Sequence, residues 1–272
     1  MTTPRPYFGA WAWSKEAGGS LGRETRSFAK QPLRLASYLC VSGLFPAAYC
    51  CRSQASKFAT QFMENPVIIL GAQTVGTAAL DAFLSNEVVV YCLLDDDAKL
   101  QGTELLDVPV MGNTDDGELL KLLGKKCEVF VATEDTASRR SLTQMLRTEY
   151  EAVPVNAIHA RASVSAHATL GHGNYVGPNA VVAATATLGD SCLIGANCVV
   201  EARANVGSFA QLGSGALLGA DVQVGELAFI GAGAVVVAGV KIGDKARVGA
   251  GSVVVADVAS GQTVFGNPAV KV

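Results

Sequence analysis

The stretch GDSCLIGANCVVEARANVGSFAQLGSGALLG, residues 189–219, carries an aliphatic residue at every sixth position: Ile194, Val200, Val206, Leu212 and Leu218. The series extends without a gap in both directions, from Ile158 to Val254, which makes seventeen aliphatics at one spacing. A small residue stands four positions after many of them, as at Ala162, Ala168, Ala180, Cys192, Ala204, Ala216 and Ser252. The position directly after the aliphatic is glycine in 11 of the 17 units. A fixed short period of this kind marks a solenoid. Each unit reads as a short strand and a turn, the aliphatic inward, the small residue near a corner, and glycine easing the turn. Three units close one triangular coil, and coils stack at about 4.8 Å. A buried aliphatic contributes roughly 1.5–3 kcal/mol before entropy, so a stack of coils holds where one coil would not.

Upstream of the repeat the pattern changes. VIILGA is a short apolar run of the kind found in a strand covered on both faces. VGTAALDAFLSN follows with helical spacing, then EVVVYCLLDDD as a second strand ending in carboxylates. LLDVPVMG reads as a short strand, DDGELLKLLGK as a helix, CEVFVAT as a strand and DTASRRSLTQMLRTEY as a helix. Strands alternating with helices predict a small parallel α/β sheet. The expected organisation is therefore an α/β domain over residues 63–155 and an all-β column over 156–272. Residues 1–62 differ from both: they hold both tryptophans, Trp11 and Trp13, and eight Lys/Arg against two acidic residues. They are expected to be an extension outside the fold, an upstream mis-start first, then a disordered tail, and last a targeting peptide, with MENPVIILGA at Met63 reading as a natural beginning.

Composition excludes several classes. A net charge of -3 lacks the basic footprint of a nucleic-acid binder, and no apolar run reaches the ~18 residues of a membrane span. None of the seven cysteines forms a CxxC pair, so they read as small core residues in a reducing, cytoplasmic compartment. Residues 158–258 contain only 11 charged side chains. That is sparse for a solvated surface and predicts that sides of the column pack against other subunits.

A small α/β domain followed by a hexapeptide repeat resembles the bacterial sugar O/N-acetyltransferases of the NeuD/PglD-like family. The resemblance runs over residues 66–272, and VFGNPAVKV resembles the xGNPAK tail of hexapeptide acyltransferases. It implies a Rossmann-like domain, a left-handed parallel β-helix, homotrimers, acetyl-CoA between adjacent columns and an acceptor sugar, often nucleotide-linked, on the small domain. It also implies a histidine general base, in a Glu-His unit followed by a Gly-x-Phe-x-His unit.

Laid on that motif, Glu201 matches the glutamate, Ala202 falls where the histidine should be, and Arg203 replaces the acid that orients it. Gly207 and Phe209 match, while Gln211 takes the place of the second histidine, which contacts acetyl-CoA in relatives. The resemblance further implies acetyl-CoA contacts at Gln211, Ala220, Ala232 and Ala250. Glu201 is the remaining candidate for a base; the bland alternative is an outward carboxylate paired with Arg203 or a neighbouring subunit. The three histidines, His159, His167 and His172, all fall in the first coil. That is about 10 Å below Ala202 at the usual strand spacing, and they read as solvated turn residues.

In the small domain, GAQTVG, Gly71 to Gly76, follows a strand and opens a helix, so it reads either as a helix start whose amides hold an anion or as a plain tight turn; Gln73, Thr74 and Val75 stand where the family carries a glycine-rich GAxGHG. Asp95 and Asp96 fit the family's acidic strand end that hydrogen-bonds a ribose or base, and read equally as a plain solvated strand end; Thr133 replaces a frequent glycine. These six are the expected acceptor-binding residues. The resulting expectation is an acetyl-CoA-dependent sugar acetyltransferase with slowed, altered or lost chemistry, without a metal. The alternative is a non-catalytic β-helix protein that binds CoA or a sugar nucleotide. A β-helix carbonic anhydrase would need three histidines converging on zinc, and a nucleotidyltransferase would need a GxGTR-type loop, which the chain lacks.

Overall fold

The computed structural model describes residues 65–272; the expectations for residues 1–62 and for the start at Met63 lie outside the described residues. The first body is a five-stranded sheet in the order β3-β4-β2-β1-β5. Its strands are β1 Val67–Leu70, β2 Val90–Leu94, β3 Glu104–Leu105, β4 Val108–Gly112 and β5 Glu128–Val131. Helices α1 Thr74–Leu84, α2 Gly117–Leu120 and α3 Thr136–Glu149 connect them. Four strands, β1, β2, β4 and β5, are parallel, joined by crossovers and not by hairpins. The edge departs from the all-parallel expectation: β3 and β4 form an antiparallel hairpin, closed by Leu106 and Asp107, both in the left-handed region. The helix expected from DDGELLKLLGK shrinks to the four residues of α2, started by the Asp116 cap. α3 begins as its sequence suggests, with the Asp135 carboxylate accepting from the Ser138 amide at 2.7 Å.

The repeat folds into a three-sided column in which each strand pairs in parallel with the strand 18 residues on. One side runs from Ser163–Val164 to Val253–Val254 and is called here the apolar face. The polar face runs from Thr169–Leu170 to Lys241–Ile242. The covered face runs from Ala157–Ile158 to Arg247–Val248 and ends in the strands Thr263–Gly266 and Ala269–Lys271. The inward aliphatics from Val176 to Val254 are buried in one continuous core, whereas Ile158, Val164 and Leu170 at the open base are half-buried.

The structure corrects the role of glycine in the repeat. The left-handed residue at each corner lies two positions after the glycine, and is often not glycine at all: Asn179, Thr185, Ser191, Asn197, Arg203, Phe209, Asp221, Leu227 and Lys245. The glycines themselves are required by close approach. A Cβ at Gly207 would meet the Glu226 amide nitrogen at 2.7 Å, and one at Gly213 the Ala232 nitrogen at 2.5 Å. Stacking of coils, not turn conformation, selects them.

The α/β body sits on the base of the covered face. Ala157, Tyr175 and Leu193, which point outward from the column, join Ala79, Leu80 and Phe83 of α1 in one buried cluster. Asn86 Nδ2 donates to the Ile158 carbonyl at 2.8 Å, and the Ala160 amide donates to Ser85 Oγ at 3.0 Å. His159 is not the solvated turn residue expected. It is 5% exposed, its Nε2 meets Asp81 Oδ2 at 3.2 Å and its Nδ1 accepts from the Arg161 amide. It is a seam residue between helix and column.

Candidate functional site

Glu201, Ala202 and Arg203 form the corner between the apolar and polar faces. Val200 before them and Ala204 after them are fully buried, so the three residues between project outward. Glu201 is exposed and Ala202 half-buried, with the Ala202 carbonyl accepting from the Asp221 amide at 3.1 Å. Arg203 does not pair with Glu201. It pairs with Asp221 one coil above, Nε and Nη2 donating to the two carboxylate oxygens at 2.6 Å each. Those hydrogen bonds hold the Asp221 carboxyl below its ordinary range and raise the Arg203 guanidinium further.

The departure from glycine at Glu201 belongs to the corner and not to one coil. The equivalent positions above and below are Ser165, Ala183, Gly219, Val237 and Val255, of which only one is glycine. The histidines stand at three different corners: His159 at the covered–apolar, His167 at the apolar–polar and His172 at the polar–covered. His167 shares the corner of Arg203 but lies two coils, about 10 Å, below it.

The expected acetyl-CoA contacts separate within one chain. Ala220 stacks one coil above Ala202 at the same corner. Ala232 and Ala250 stack at the covered–apolar corner, on the other side of the apolar face. Gln211 points outward from the covered face, its strand neighbours Leu193 below and Phe229 above; the Arg247 guanidinium lies over the Phe229 ring at 5.0 Å. The apolar face between the two corners presents Val181, Val199, Leu217, Val235 and Val253 outward, and Val181 and Leu217 are each 37% exposed. The polar face presents Thr169, Thr187, Asn205, Gln223 and Lys241. A groove of about 530 Å³ runs along it from Asn205 past Gln223 and Lys241 to Asp257 and Ser260.

The α/β body carries a second cleft, of about 660 Å³, at the carboxyl ends of β1, β2 and β5. Ligands of open α/β sheets bind at such strand ends. Of the expected acceptor residues, Gln73, Asp95, Asp96 and Thr133 line it, and Thr74 and Val75 do not. Asp97, Thr114, Glu134, Asp135 and Ser138 line it as well, unforeseen from the sequence. Helix α1 opens beside the cleft with no side-chain cap and no acidic residue in its first turn. This leaves amides of that turn free to meet an anion.

Asp95 is turned to structural use. It is 5% exposed, one oxygen accepting from the Ala72 amide at 2.7 Å and the other from the Asp97 amide at 2.9 Å. Asp96 accepts from both the amide and the hydroxyl of Thr114. Thr133 Oγ1 is buried without a hydrogen-bond partner among the described residues, a cost that a ligand atom would remove. Gly71, at φ +112, brings the cleft floor close: a Cβ there would meet the Ala132 carbonyl oxygen at 2.6 Å.

Helix α3 links this cleft to the column. Arg147 Nη2 meets Asp190 Oδ2 at 2.8 Å, and Arg139, fully buried, was not flagged by any sequence pattern. The four cysteines among the described residues are buried free thiols, and burial pushes Cys92 and Cys192 up to about 12. Among the described residues no helix is long and apolar enough to cross a membrane.

Comparison with known proteins agrees with this geometry. Residues 167–202 and 221–256 match the bacterial transferase hexapeptide family (six repeats), and residues 185–225 match the hexapeptide repeat of succinyl-transferase. No curated protein sequence gives a significant match. PerB from Caulobacter crescentus, solved in complex with CoA and GDP-perosamine, is 32% identical with a TM-score of 0.71. The match covers 77% of this chain and 98% of that one. A histidine-to-alanine variant of the Caulobacter GDP-perosamine N-acetyltransferase, 33% identical over 97% of its chain with a TM-score of 0.71, was also solved with CoA and GDP-perosamine; 77% of this chain is covered. The acetyltransferase domain of PglB from Neisseria gonorrhoeae, solved with acetyl coenzyme A, is 28% identical, with 76% and 99% of the two chains covered and a TM-score of 0.71.

Proposed function

The chain belongs to the NeuD/PglD-like family of hexapeptide-repeat sugar acetyltransferases, and from that premise we propose that it binds acetyl-CoA and a nucleotide-linked sugar and transfers the acetyl group slowly, without the family's histidine. In this reading residues 63–155 supply the acceptor cleft and 156–272 the acyl-transfer column, in the cytoplasm, where buried free thiols persist. The carrying observation is that the likeness to PerB, which was solved with CoA and GDP-perosamine, runs through both bodies of the fold.

The acceptor nitrogen or oxygen attacks the thioester carbonyl, the C–S bond breaks, CoA leaves as its thiol, and the acceptor loses one proton. At the apolar–polar corner Ala202 has no group to take that proton, and Arg203, always protonated, is engaged by Asp221. Glu201 is the carboxylate at this level and the candidate to accept it. General base catalysis contributes about 10²–10⁴-fold, while proximity and orientation contribute as much or more, so a site with both ligands aligned retains part of its rate. An amine acceptor, partly unprotonated, suffers less than a hydroxyl. The Caulobacter variant solved with both ligands after loss of a histidine supports binding that outlives a lost histidine.

The assembly in this reading is a homotrimer with the apolar faces inward. Threefold symmetry about those faces sets the apolar–polar corner of one copy against the covered–apolar corner of the next. This unites Ala220 with the Ala232, Ala250 and Gln211 of a neighbouring copy in one crevice, which accounts for their separation within the chain.

A second reading, ligand binding without turnover, is favoured by the Arg203–Asp221 pair occupying the corner where the base and its orienting acid belong. Calorimetry with CoA and with GDP- and UDP-linked amino sugars, followed by a single-turnover assay on the same protein, separates the two. Acetyl transfer establishes the first; binding of both ligands without product establishes the second; binding of neither ends both.

A further inference from the structure

Arg139 is the largest fully buried side chain among the described residues, and among those residues it forms no salt bridge with a carboxylate. Its guanidinium instead reaches four backbone carbonyls in three separate segments. Nη1 donates to Thr133 O at 2.7 Å and to Glu134 O at 3.1 Å, Nε to Ser191 O at 3.2 Å, and Nη2 to Phe209 O at 3.2 Å. Burial lowers this group to about 10, with Cys192 and Asp135 acting in the opposite direction. It therefore stays charged at neutral pH despite the desolvation.

Removing a charge from water without a counterion is costly, and an arginine used only to fill space would be replaced more cheaply by an apolar residue. What the guanidinium provides is a planar fork whose donors point in fixed directions. Two of its bonds end on the wall of the acceptor cleft, since Thr133 and Glu134 line it. The other two end on left-handed corner residues of neighbouring coils, Ser191 and Phe209. The second of these precedes Gln211 by two residues. The corner is braced again by the Phe209 amide donating to Asp190 O at 2.8 Å and by Asp190 accepting from Arg147.

We propose that Arg139 is a positioning residue that carries occupancy of the acceptor cleft to the coil corner at Phe209, holding the sugar-binding wall and the Phe209–Gln211 segment in one register. This rests on the reading of the α/β cleft as the acceptor site. When a ligand engages the Thr133–Glu134 wall, the carbonyls held by Nη1 are fixed, and the shared fork transmits that restraint to the carbonyl held by Nη2.

The test is hydrogen exchange by mass spectrometry on the full chain, with and without a saturating GDP- or UDP-linked amino sugar, on peptides covering 133–138 and 207–212. In the wild-type chain protection rises in both. In Arg139→Met it rises in 133–138 alone, and affinity for the sugar nucleotide weakens roughly tenfold, the size expected for losing a charge-assisted contact, while CoA affinity stays within about threefold. Arg139→Lys keeps the charge without the fork and restores thermal stability in larger part than the coupling; it serves where the Met variant does not fold. Protection in 207–212 that never responds to the sugar nucleotide in wild type, or that responds in the variants as strongly as in wild type, overturns the proposal. A wild-type chain that binds no sugar nucleotide overturns the acceptor reading itself, and this inference with it.

Discussion

Arg203 and Asp221 stand one coil apart at the same corner of the column, and the guanidinium grips both oxygens of the carboxylate at 2.6 Å. Both side chains are at least half exposed, so the pair adds little to stability. Its consequence is positional: the cation at this corner is engaged by Asp221 and not by Glu201, and Ala202, beside Arg203 in the lower coil, has no proton acceptor of its own.

Ala202→His therefore restores the missing group. Single-turnover acetyl transfer to an amino-sugar acceptor rises by about 10²-fold or more, the general-base range being roughly 10²–10⁴, and CoA affinity measured by calorimetry changes little. A variant no faster than wild type would remove this corner from the chemistry.

Glycine spacing predicts a stability contrast. Gly213→Ala places a Cβ against the Ala232 backbone and costs about 1–3 kcal/mol as overpacking, which lowers Tm by roughly 2–12 °C for a chain of this size. Glu201→Gly, at the corner that already accepts side chains, shifts Tm by no more than about 2 °C. Differential scanning calorimetry compares the two directly.

Asp190 gives a pH dependence. Burial works to raise its carboxyl, but the hydrogen bonds from Arg147 and the His172 amide outweigh it and hold the group below its ordinary value. A depressed carboxyl contributes stability that is complete above the unfolded value near 3.9 and is lost as pH falls through the native value. In urea titrations wild type exceeds Asp190→Asn at pH 7, and the gap closes as pH falls below about 4. A gap that widens in acid would contradict the assignment.

The apolar face predicts an association. Leu217→Glu places a charge in the middle of the Val199–Leu217–Val235 stripe, and light scattering should find the protein reduced from three chain masses to one. An unchanged mass would move the interface elsewhere.

The column was legible because its period is written into every unit. An aliphatic at each sixth position, small residues at the corners and glycine after the aliphatic are local properties, repeated often enough to leave no competing reading. The strands and helices of the small domain were legible from their apolar runs and from the Asp135–Ser138 cap, although α2 and the β3–β4 hairpin were not, since short polar segments carry little pattern. Among the site residues, Gln73, Asp95, Asp96 and Thr133 do gather at one cleft. No pattern announced Glu134 or Arg139, whose roles depend on segments far apart in the chain.

Periodicity in the chain alone settled the three-sided winding, because inward and outward positions alternate within each short unit regardless of what surrounds it. Folding decided the rest. The residue that Arg203 grips, the reason glycine is needed, the burial of His159 and the four carbonyls around Arg139 all depend on which backbone comes within 3–4 Å. That proximity arises only when coils stack and α1 and α3 dock against them.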